Sequence, residues 1–175
     1  MTMVDQDLEL KPMLEMQPKD WGLFYRYFRD REIAALNGAK PIFMPLWLFK
    51  NIVIGEEKSG ERIGLALYKS GVFIGSVEFY DIVPSPKKAV LGILIGEKSL
   101  WGLGIGTRAL ALALEYIFVR RGFEHISLQT LENNTRARRS FEKNGFVLFG
   151  VAGSGKLRYA HYELTKTGWL AHQPT

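Results

Sequence analysis

The stretch LWGLGIGTRAL, Leu100 to Leu110, decides the fold because of what stands on either side of it. An almost unbroken apolar run, Ala89 to Ile95, precedes it, and a helical apolar pattern, Thr107 to Val119, follows it. The predicted order is therefore strand, glycine turn, helix. Glycines lack a Cβ, so a ligand can approach the backbone of the turn closely. The first amides of the helix have no intrahelical acceptor and attract anions, so we expect a diphosphate group to bind at this turn.

Single residues exclude two common phosphate-binding loops at this turn. The dinucleotide-binding pattern GxGxxG requires a glycine at position 107, where this chain has Thr107. The loop GxxxxGKS or GxxxxGKT requires a lysine directly before the hydroxyl residue, and Gly106 stands there instead. The spacing that remains is WxxGxG, Trp101 to Gly106. It resembles the pyrophosphate loop Q/R-x-x-G-x-G/A of the GNAT N-acetyltransferases, in particular the branch related to ribosomal-protein N-terminal acetyltransferases.

A second motif, NTRARRSFEKNGF at 134–146, resembles the NxxAxxxYEKxGF segment of the same family at nearly every fixed position. The offsets of Asn134, Ala137 and Phe141 put these three side chains on one face of a helix. Because two independent motifs occur in the family's order, the chain is identified as a member of the GNAT family. The resemblance is strong over 72–146 and looser outside it.

The resemblance implies an α/β (α+β) fold in a single domain, residues 1–175. Its central sheet is mixed and mostly antiparallel, with six to seven strands and helices on both faces. Alternating and apolar patterns predict strands at 7–11, 62–69, 72–81, 89–95, 125–131, 146–151 and 157–165. Ser70 and Gly71 predict a two-residue hairpin turn. Gly92, inside an apolar strand, indicates a bulge.

Helices are expected on the segments that connect these strands. Aromatic residues recur at helical spacing in the first helix, which is predicted from Trp21 to Arg29. The four are Trp21, Phe24, Tyr25 and Phe28. Core packing explains most of this stripe, and the resemblance implies that some of the rings line the acceptor pocket. A second helix covers 30–37. A third begins near Pro45 and ends near Val53, followed by a polar loop at 56–61.

Composition narrows the class of protein. No apolar run approaches the roughly 20 residues that cross a bilayer, and the acidic first residues do not resemble a signal peptide. We therefore expect a cytoplasmic protein without membrane contact. Cysteine is absent and three histidines occur, which excludes disulfides and disfavours a metal site. A polyanionic co-substrate and a solvated surface explain the net charge of +5 better than nucleic acid does.

The resemblance implies acetyl-CoA as co-substrate. Backbone amides at 103–107 would hold its pyrophosphate. Backbone groups at 93–95 would pair with the pantetheine arm like an added strand and polarise the thioester carbonyl. Asn134 would contact the pantetheine, with Ala137 and Phe141 beside the thiol end. The residues assigned to co-substrate binding are Ile93, Leu94, Ile95, Trp101, Gly102, Leu103, Gly104, Ile105, Gly106, Thr107, Asn134, Ala137 and Phe141.

The reaction that the resemblance implies is direct attack of a neutral primary amine on the thioester. The acceptor is either a protein N-terminal α-amine or a small-molecule amine, and the sequence does not distinguish them. A lysine-like amine, with a pKa of about 10.4, needs more help from a base than an α-amine with a pKa of about 8.

The main departure from the family lies at Phe141, where the family has the tyrosine that protonates the leaving thiolate. A phenyl ring has no proton to donate, although a thiolate with a pKa of about 8.5 leaves tolerably unaided. This substitution leaves open a catalytically silent acyl-CoA-binding or regulatory domain. The net positive charge leaves open a third class, a basic RNA- or ribosome-associated domain without CoA. The sequence also leaves a homodimer open.

Glu78 is the candidate general base. The strand that the resemblance places at the thioester, Ala89 to Ile95, has no ionisable side chain. In the preceding strand, alternation puts Ser76, Glu78 and Tyr80 on the face opposite to Phe79. In the middle of a sheet, burial raises the pKa of a carboxylate towards the range useful for a base. A structural ion pair with an arginine, or a solvent-exposed position, is the competing interpretation.

Overall fold

The computed structural model describes residues 2–173, which form eight strands and six α-helices. The strands are β1 Met3–Asp5, β2 Leu8–Pro12, β3 Ile63–Lys69, β4 Val72–Pro84, β5 Lys87–Ile95, β6 His125–Leu131, β7 Val147–Ser154 and β8 Leu157–Thr165. The helices are α1 Asp20–Arg29, α2 Arg31–Leu36, α3 Leu46–Ser59, α4 Ile105–Glu115, α5 Thr135–Lys143 and α6 Lys166–His172. One sheet has the order β1-β2-β3-β4-β5-β6-β8-β7, antiparallel except between β5 and β6. The predicted fold class is confirmed, with eight strands rather than six to seven.

The additional strand is β1, which pairs with β2 across a two-residue turn. Sequence patterns miss it because it has three residues and because its turn uses Gln6, at φ 53°, in place of a glycine. Arg108 of α4 holds this hairpin: its Nε lies 2.8 Å from Asp5 Oδ2 and its Nη2 lies 3.0 Å from Asp7 Oδ1. The N-terminal hairpin is thereby tied to the helix that follows the glycine turn.

Two hydrophobic cores lie on the two faces of the sheet. On one face, Val77 and Phe79 of β4 pack in the core that includes Leu110 of α4. On the other face, Phe24 of α1 and Phe73 of β4 belong to the core formed with α3. The alternation predicted for β4 is confirmed, and so is core packing for the buried part of the aromatic stripe.

Three local expectations are corrected. The segment at 56–61 is not a loop, because α3 continues to Ser59 and ends at Gly60, which adopts the left-handed conformation at φ 80°. Gly92 forms no bulge and pairs regularly with Glu78. The predicted helix after the glycine turn begins two residues early, at Ile105. The hairpin turn is confirmed, since Ser70 and Gly71 both have positive φ.

The extra turn of α3 brings Glu57 over the sheet at Gly64, where a Cβ would lie 2.5 Å from Glu57 Oε1. Burial raises the pKa of Glu57 to about 7, against the opposing effects of the Gly64 amide and the Arg62 guanidinium. Between the ordinary carboxyl pKa and 7, the folded chain holds this proton and the unfolded chain releases it. Stability therefore falls as pH rises through this window.

Glu57→Gln is expected to remove this fall, which amounts to about 1–2 kcal/mol after allowance for partial exposure. The measurement is the free energy of unfolding in urea at pH 5 and pH 8. Glu61→Gln, at an exposed position two residues beyond the helix, is the control and should keep the wild-type dependence. The same pH dependence in wild type and Glu57→Gln would contradict the assignment.

Candidate active site

The sheet opens in its middle, between the parallel strands β5 and β6. Their pairing covers Lys88 with His125, Ala89 with Ile126 and Val90 with Ser127, and it ends there. The remainder of β5, residues 91–95, keeps its partner β4 on one side and has none on the other. A gap therefore runs from the middle of the sheet to the carboxyl end of β5.

The backbone of β5 presents hydrogen-bonding groups to this gap. The N–H of Gly96 donates to Ile74 O at 2.8 Å, so the backbone groups of Gly96 point towards β4. Successive residues of a strand alternate in this direction. The backbone groups of Leu91, Ile93 and Ile95 therefore face the gap, which makes this an open edge inside a sheet.

Of the predicted pantetheine-binding segment, residues 93–95, two residues use backbone groups for contacts within the protein. Leu94 directs its backbone towards β4, opposite Ser76, and presents its side chain to the cavity. The carbonyl of Ile95 accepts a hydrogen bond from Trp101 Nε1 at 2.8 Å. Ile93 thus retains both of its backbone groups for a ligand in the gap.

The glycine turn closes the carboxyl end of the gap. Gly102 and Gly104 have φ of 82° and 79°, a region that disfavours side chains with a Cβ. Arg108 N–H bonds to Gly104 O at 3.1 Å, as the first bond of α4. The amides at 105–107 therefore have no intrahelical acceptor, and Gly104 has no side chain to cap them. This turn has the geometry of an anion-binding site.

The start of α5 forms the opposite wall. Asn134 caps this helix, since its Oδ1 accepts from Ala137 N at 3.3 Å, and its Nδ2 donates to Leu36 O at 3.5 Å. Phe141 is buried, at 4% exposure, and packs against Tyr162 while one side of the ring lines the gap. Asn134, Ala137 and Phe141 thus lie together on the wall, as their spacing predicts.

The gap widens into a cavity of about 880 Å³ that reaches both faces of the sheet. The predicted site residues all line it except Leu103, whose side chain is exposed. Further residues that line the cavity include Tyr27, Phe28, Ile33, Lys40, Arg62, Tyr80, Thr130 and Tyr159. Phe28 belongs to the aromatic stripe, and Tyr80 shares the face of Glu78 as the alternation of β4 predicts, whereas the others reach the cavity through long-range packing that leaves no local pattern.

The charge of the lining is strongly positive. The cations that line it are Lys40, Arg62, Arg136, Arg139 and Lys143, and the one carboxylate among its described residues is Glu78. Three of these cations lie on α5, beside the glycine turn, where Arg136 stacks 4.2 Å from the ring centroid of Trp101. This end of the cavity attracts a polyanion.

Glu78 faces the other end of the cavity. It is 9% exposed and pairs in register with Gly92 of β5. Ser76 Oγ donates to Glu78 Oε1 at 2.7 Å, and Arg62 Nη1 lies 2.9 Å from Oε2. The arginine pair expected under the structural interpretation is therefore present, and the carboxylate nevertheless borders the cavity.

Within residues 2–173, no group of three or more histidine or acidic residues is arranged to hold a metal ion. Across the same residues, no helix is long and apolar enough to cross a membrane.

Comparison with known proteins identifies a family whose model matches most of this chain. Residues 8–147 match the acetyltransferase (GNAT) domain family. An uncharacterized protein of Methanocaldococcus jannaschii is 41% identical over 56 residues, which is 32% of this chain and 11% of that protein. The match thus spans about a tenth of that relative's length.

The fold is shared with solved structures, among them the following two. A spermidine N-acetyltransferase from Vibrio cholerae, in complex with CoA and spermine, superposes with a TM-score of 0.83 at 18% identity, covering 95% of this chain and 99% of that one. A ribosomal-protein-S5-alanine acetyltransferase from Vibrio fischeri superposes with a TM-score of 0.79 at 16% identity, covering 99% and 100%.

Proposed function

Because this chain belongs to the GNAT acetyltransferase family, we propose that it transfers the acetyl group of acetyl-CoA to a primary amine. One observation carries the proposal: the open edge of β5 connects an uncapped helix N-terminus to a buried carboxylate. A long, thin ligand with a polyanionic end and a reactive end fits this arrangement.

The residues present fit CoA along its length. The amides at 105–107 suit its diphosphate, and Arg136 and Arg139 supply positive charge beside them. The C=O of Ile93 and the N–H of Ile95 point in the direction of a missing strand, which suits the two amides of the pantetheine arm and leaves the N–H of Ile93 for the thioester. The structural relative from Vibrio cholerae was solved with CoA, which supports the same co-substrate here.

At the reactive end, this chain's residues have separate tasks. The N–H of Ile93 is directed into the gap, where it can donate to the thioester carbonyl and stabilise the charge that develops on its oxygen. Glu78 takes the proton of the attacking amine, directly or through a water molecule. Arg62 and Ser76 fix the carboxylate in place. The thioester supplies the activated acetyl group.

The acceptor end of the cavity favours a monoamine over a polyamine. The resemblance assigns the region after β2 to the acceptor, and the part of the lining that this region contributes is mainly apolar: Tyr27, Phe28, Ile33, Ala34, Leu36 and Ala39, with Asn37 beside them. The carboxylate there, Glu78, is already paired with Arg62, and Lys40 adds a further positive charge. A second ammonium group on the acceptor would therefore find no counter-charge and would lose solvation. Among acceptors, a protein N-terminus or an apolar small amine fits this lining.

We expect kcat/KM for a short peptide with a free apolar N-terminus to exceed that for spermidine by at least about tenfold, equivalent to about 1.4 kcal/mol. The measurement is release of free thiol from acetyl-CoA with each acceptor at matched ionic strength. The same peptide with a blocked N-terminus is the control and should give no reaction. A preference for spermidine would contradict the acceptor assignment and leave the acetyl transfer itself intact.

Phe141 favours a second candidate, a silent acyl-CoA-binding domain, because the family's acid is missing. CoA binding without thiol release from any acceptor would support that candidate. Binding of RNA without CoA binding would support the RNA-associated class. The cytoplasmic location, the single-domain extent and a homodimer stay predictions from the sequence.

A further inference from the structure

The proposed reaction needs a proton for the leaving thiolate, and α5 does not supply one. Phe141 lines the cavity without an ionisable group. Its neighbour Ser140 lines the cavity too, but its hydroxyl donates to Arg136 O at 3.3 Å and accepts from Thr107 Oγ1 at 3.1 Å. A side-chain donor would therefore come from another wall of the cavity.

Most hydroxyl groups in the lining are already engaged or badly placed. Ser76 donates to Glu78, and Tyr159 donates to Gly38 O at 3.3 Å. The hydroxyls that make no hydrogen bond to another residue in the described part of the chain belong to Tyr27, Tyr80, Thr130 and Thr135. Thr135 is the first residue of α5, at the rim. The ring of Tyr27 packs on Gly96, at the far end of β5.

Tyr80 is placed differently, over the point where the gap begins. It lies on the same face of β4 as Glu78 and pairs in register with Val90, the last residue of β5 that still pairs with β6. Its ring extends over β5 to Gly92: the Cε1 atom of Tyr80 lies 3.3 Å from the position that a Cβ on Gly92 would occupy. Gly92 therefore provides the space that lets this ring lie across β5.

The surroundings of Tyr80 keep its proton on the oxygen. Burial raises the pKa of the Tyr80 phenol, and the nearby carboxylates of Asp81 and Glu78 raise it further, while Arg62 lowers it in part. The phenol therefore stays a neutral donor across the physiological range. A neutral donor beside the gap can stabilise the negative charge that develops on sulfur.

We propose that Tyr80 is the catalytic acid that protonates the departing sulfur in this chain. The inference rests on the proposed function. The amine nitrogen forms the new C–N bond, and the C–S bond breaks with its electron pair on sulfur. Tyr80 gives its proton to that sulfur, and Glu78 takes the proton of the amine. Exchange with water returns both side chains to their starting states.

Tyr80→Phe is the test, because it removes the hydroxyl and keeps the ring. We expect kcat to fall about 10- to 30-fold, less than the full range of general acid catalysis, because a thiolate is a fair leaving group. The second readout needs no turnover. Ultraviolet absorbance of the thiolate reports the pKa of the thiol of bound CoA, which should lie about one pH unit higher in Tyr80→Phe than in wild type.

Two further variants distinguish a role of the Tyr80 hydroxyl from an effect of altered side-chain packing. Tyr80→Phe combined with Phe141→Tyr should regain most of the rate that Tyr80→Phe loses, because the acid then comes from α5. Thr130→Val removes the other unengaged hydroxyl at the gap and should stay near wild type.

An unchanged kcat together with an unchanged thiol pKa in Tyr80→Phe overturns the proposal. So does a loss of rate confined to Thr130→Val, since the acid would then lie on β6. If wild type binds CoA and turns over no amine, the proposed function fails, and the thiol pKa still decides whether Tyr80 contacts the sulfur.

Discussion

Gly104→Val is expected to abolish CoA binding, with a loss of affinity of at least about 100-fold. Gly104 has φ 79° and is the residue from which α4 begins, so a β-branched side chain strains the turn. A Cβ there meets no atom within 4 Å, so the methyl groups would project into the cavity that the position lines. The amides at 105–107 would then be displaced from the diphosphate or covered. Calorimetric titration with CoA measures the loss.

The strain at Gly104 has a matched control in the same chain. Gly60 ends α3 at φ 80°, a Cβ there also meets no atom within 4 Å, and the residue lies away from the cavity. Gly60→Val should therefore cost a similar amount of stability, of the order of 1–2 kcal/mol, and leave CoA affinity unchanged. Gly106→Glu, which sets a carboxylate where the diphosphate is expected, should also abolish binding. Wild-type affinity in both turn variants, with the fold intact, would contradict the site.

Glu78→Gln is expected to lower kcat about 100- to 1,000-fold with a lysine-like acceptor at neutral pH. The substitution keeps the shape of the side chain and removes its ability to accept the amine proton. At high pH the loss should shrink, because the amine, with a pKa of about 10.4, increasingly deprotonates unaided. The pH–rate profile of kcat therefore measures the role directly.

Glu78→Gln also removes the charge that pairs with Arg62. Its control therefore has to remove another carboxylate beside Arg62, one that does not line the cavity. Glu56 supplies it, since Glu56 Oε2 lies 3.0 Å from Arg62 Nε and does not line the cavity. Glu56→Gln should keep the wild-type profile. A wild-type profile for Glu78→Gln as well would assign the proton to ordered water and leave Glu78 a structural partner of Arg62.

The sequence predicts well the features that local chemistry determines. The glycines at 102 and 104 indicate a turn with positive φ, and the structure has one there. The offsets from Asn134 to Phe141 predict one face of a helix, and these side chains share one wall of the cavity. Alternation correctly separates Glu78 from Phe79. Each of these depends on a repeat of the backbone or on the absence of a Cβ.

The features that the sequence does not predict depend mostly on contacts between distant parts of the chain. No sequence pattern around Glu78 predicts its ion pair with Arg62. No pattern in β4 predicts that the ring of Tyr80 lies over Gly92. The end of α3 was misplaced because a polar surface turn of helix and a polar loop have similar compositions. The length over which β5 and β6 pair is set by the twist and packing of the whole sheet, which single residues do not encode.

The short pairing of β5 with β6 also divides the molecule mechanically. Three residue pairs join a half-sheet of five strands to a half-sheet of three. We expect sub-global opening of the native protein to start at this seam, because few backbone bonds have to break there. A ligand that occupies the gap contacts residues of both half-sheets and so connects them across the seam. It therefore makes the two halves unfold as one cooperative unit, in addition to stabilising each of them by mass action.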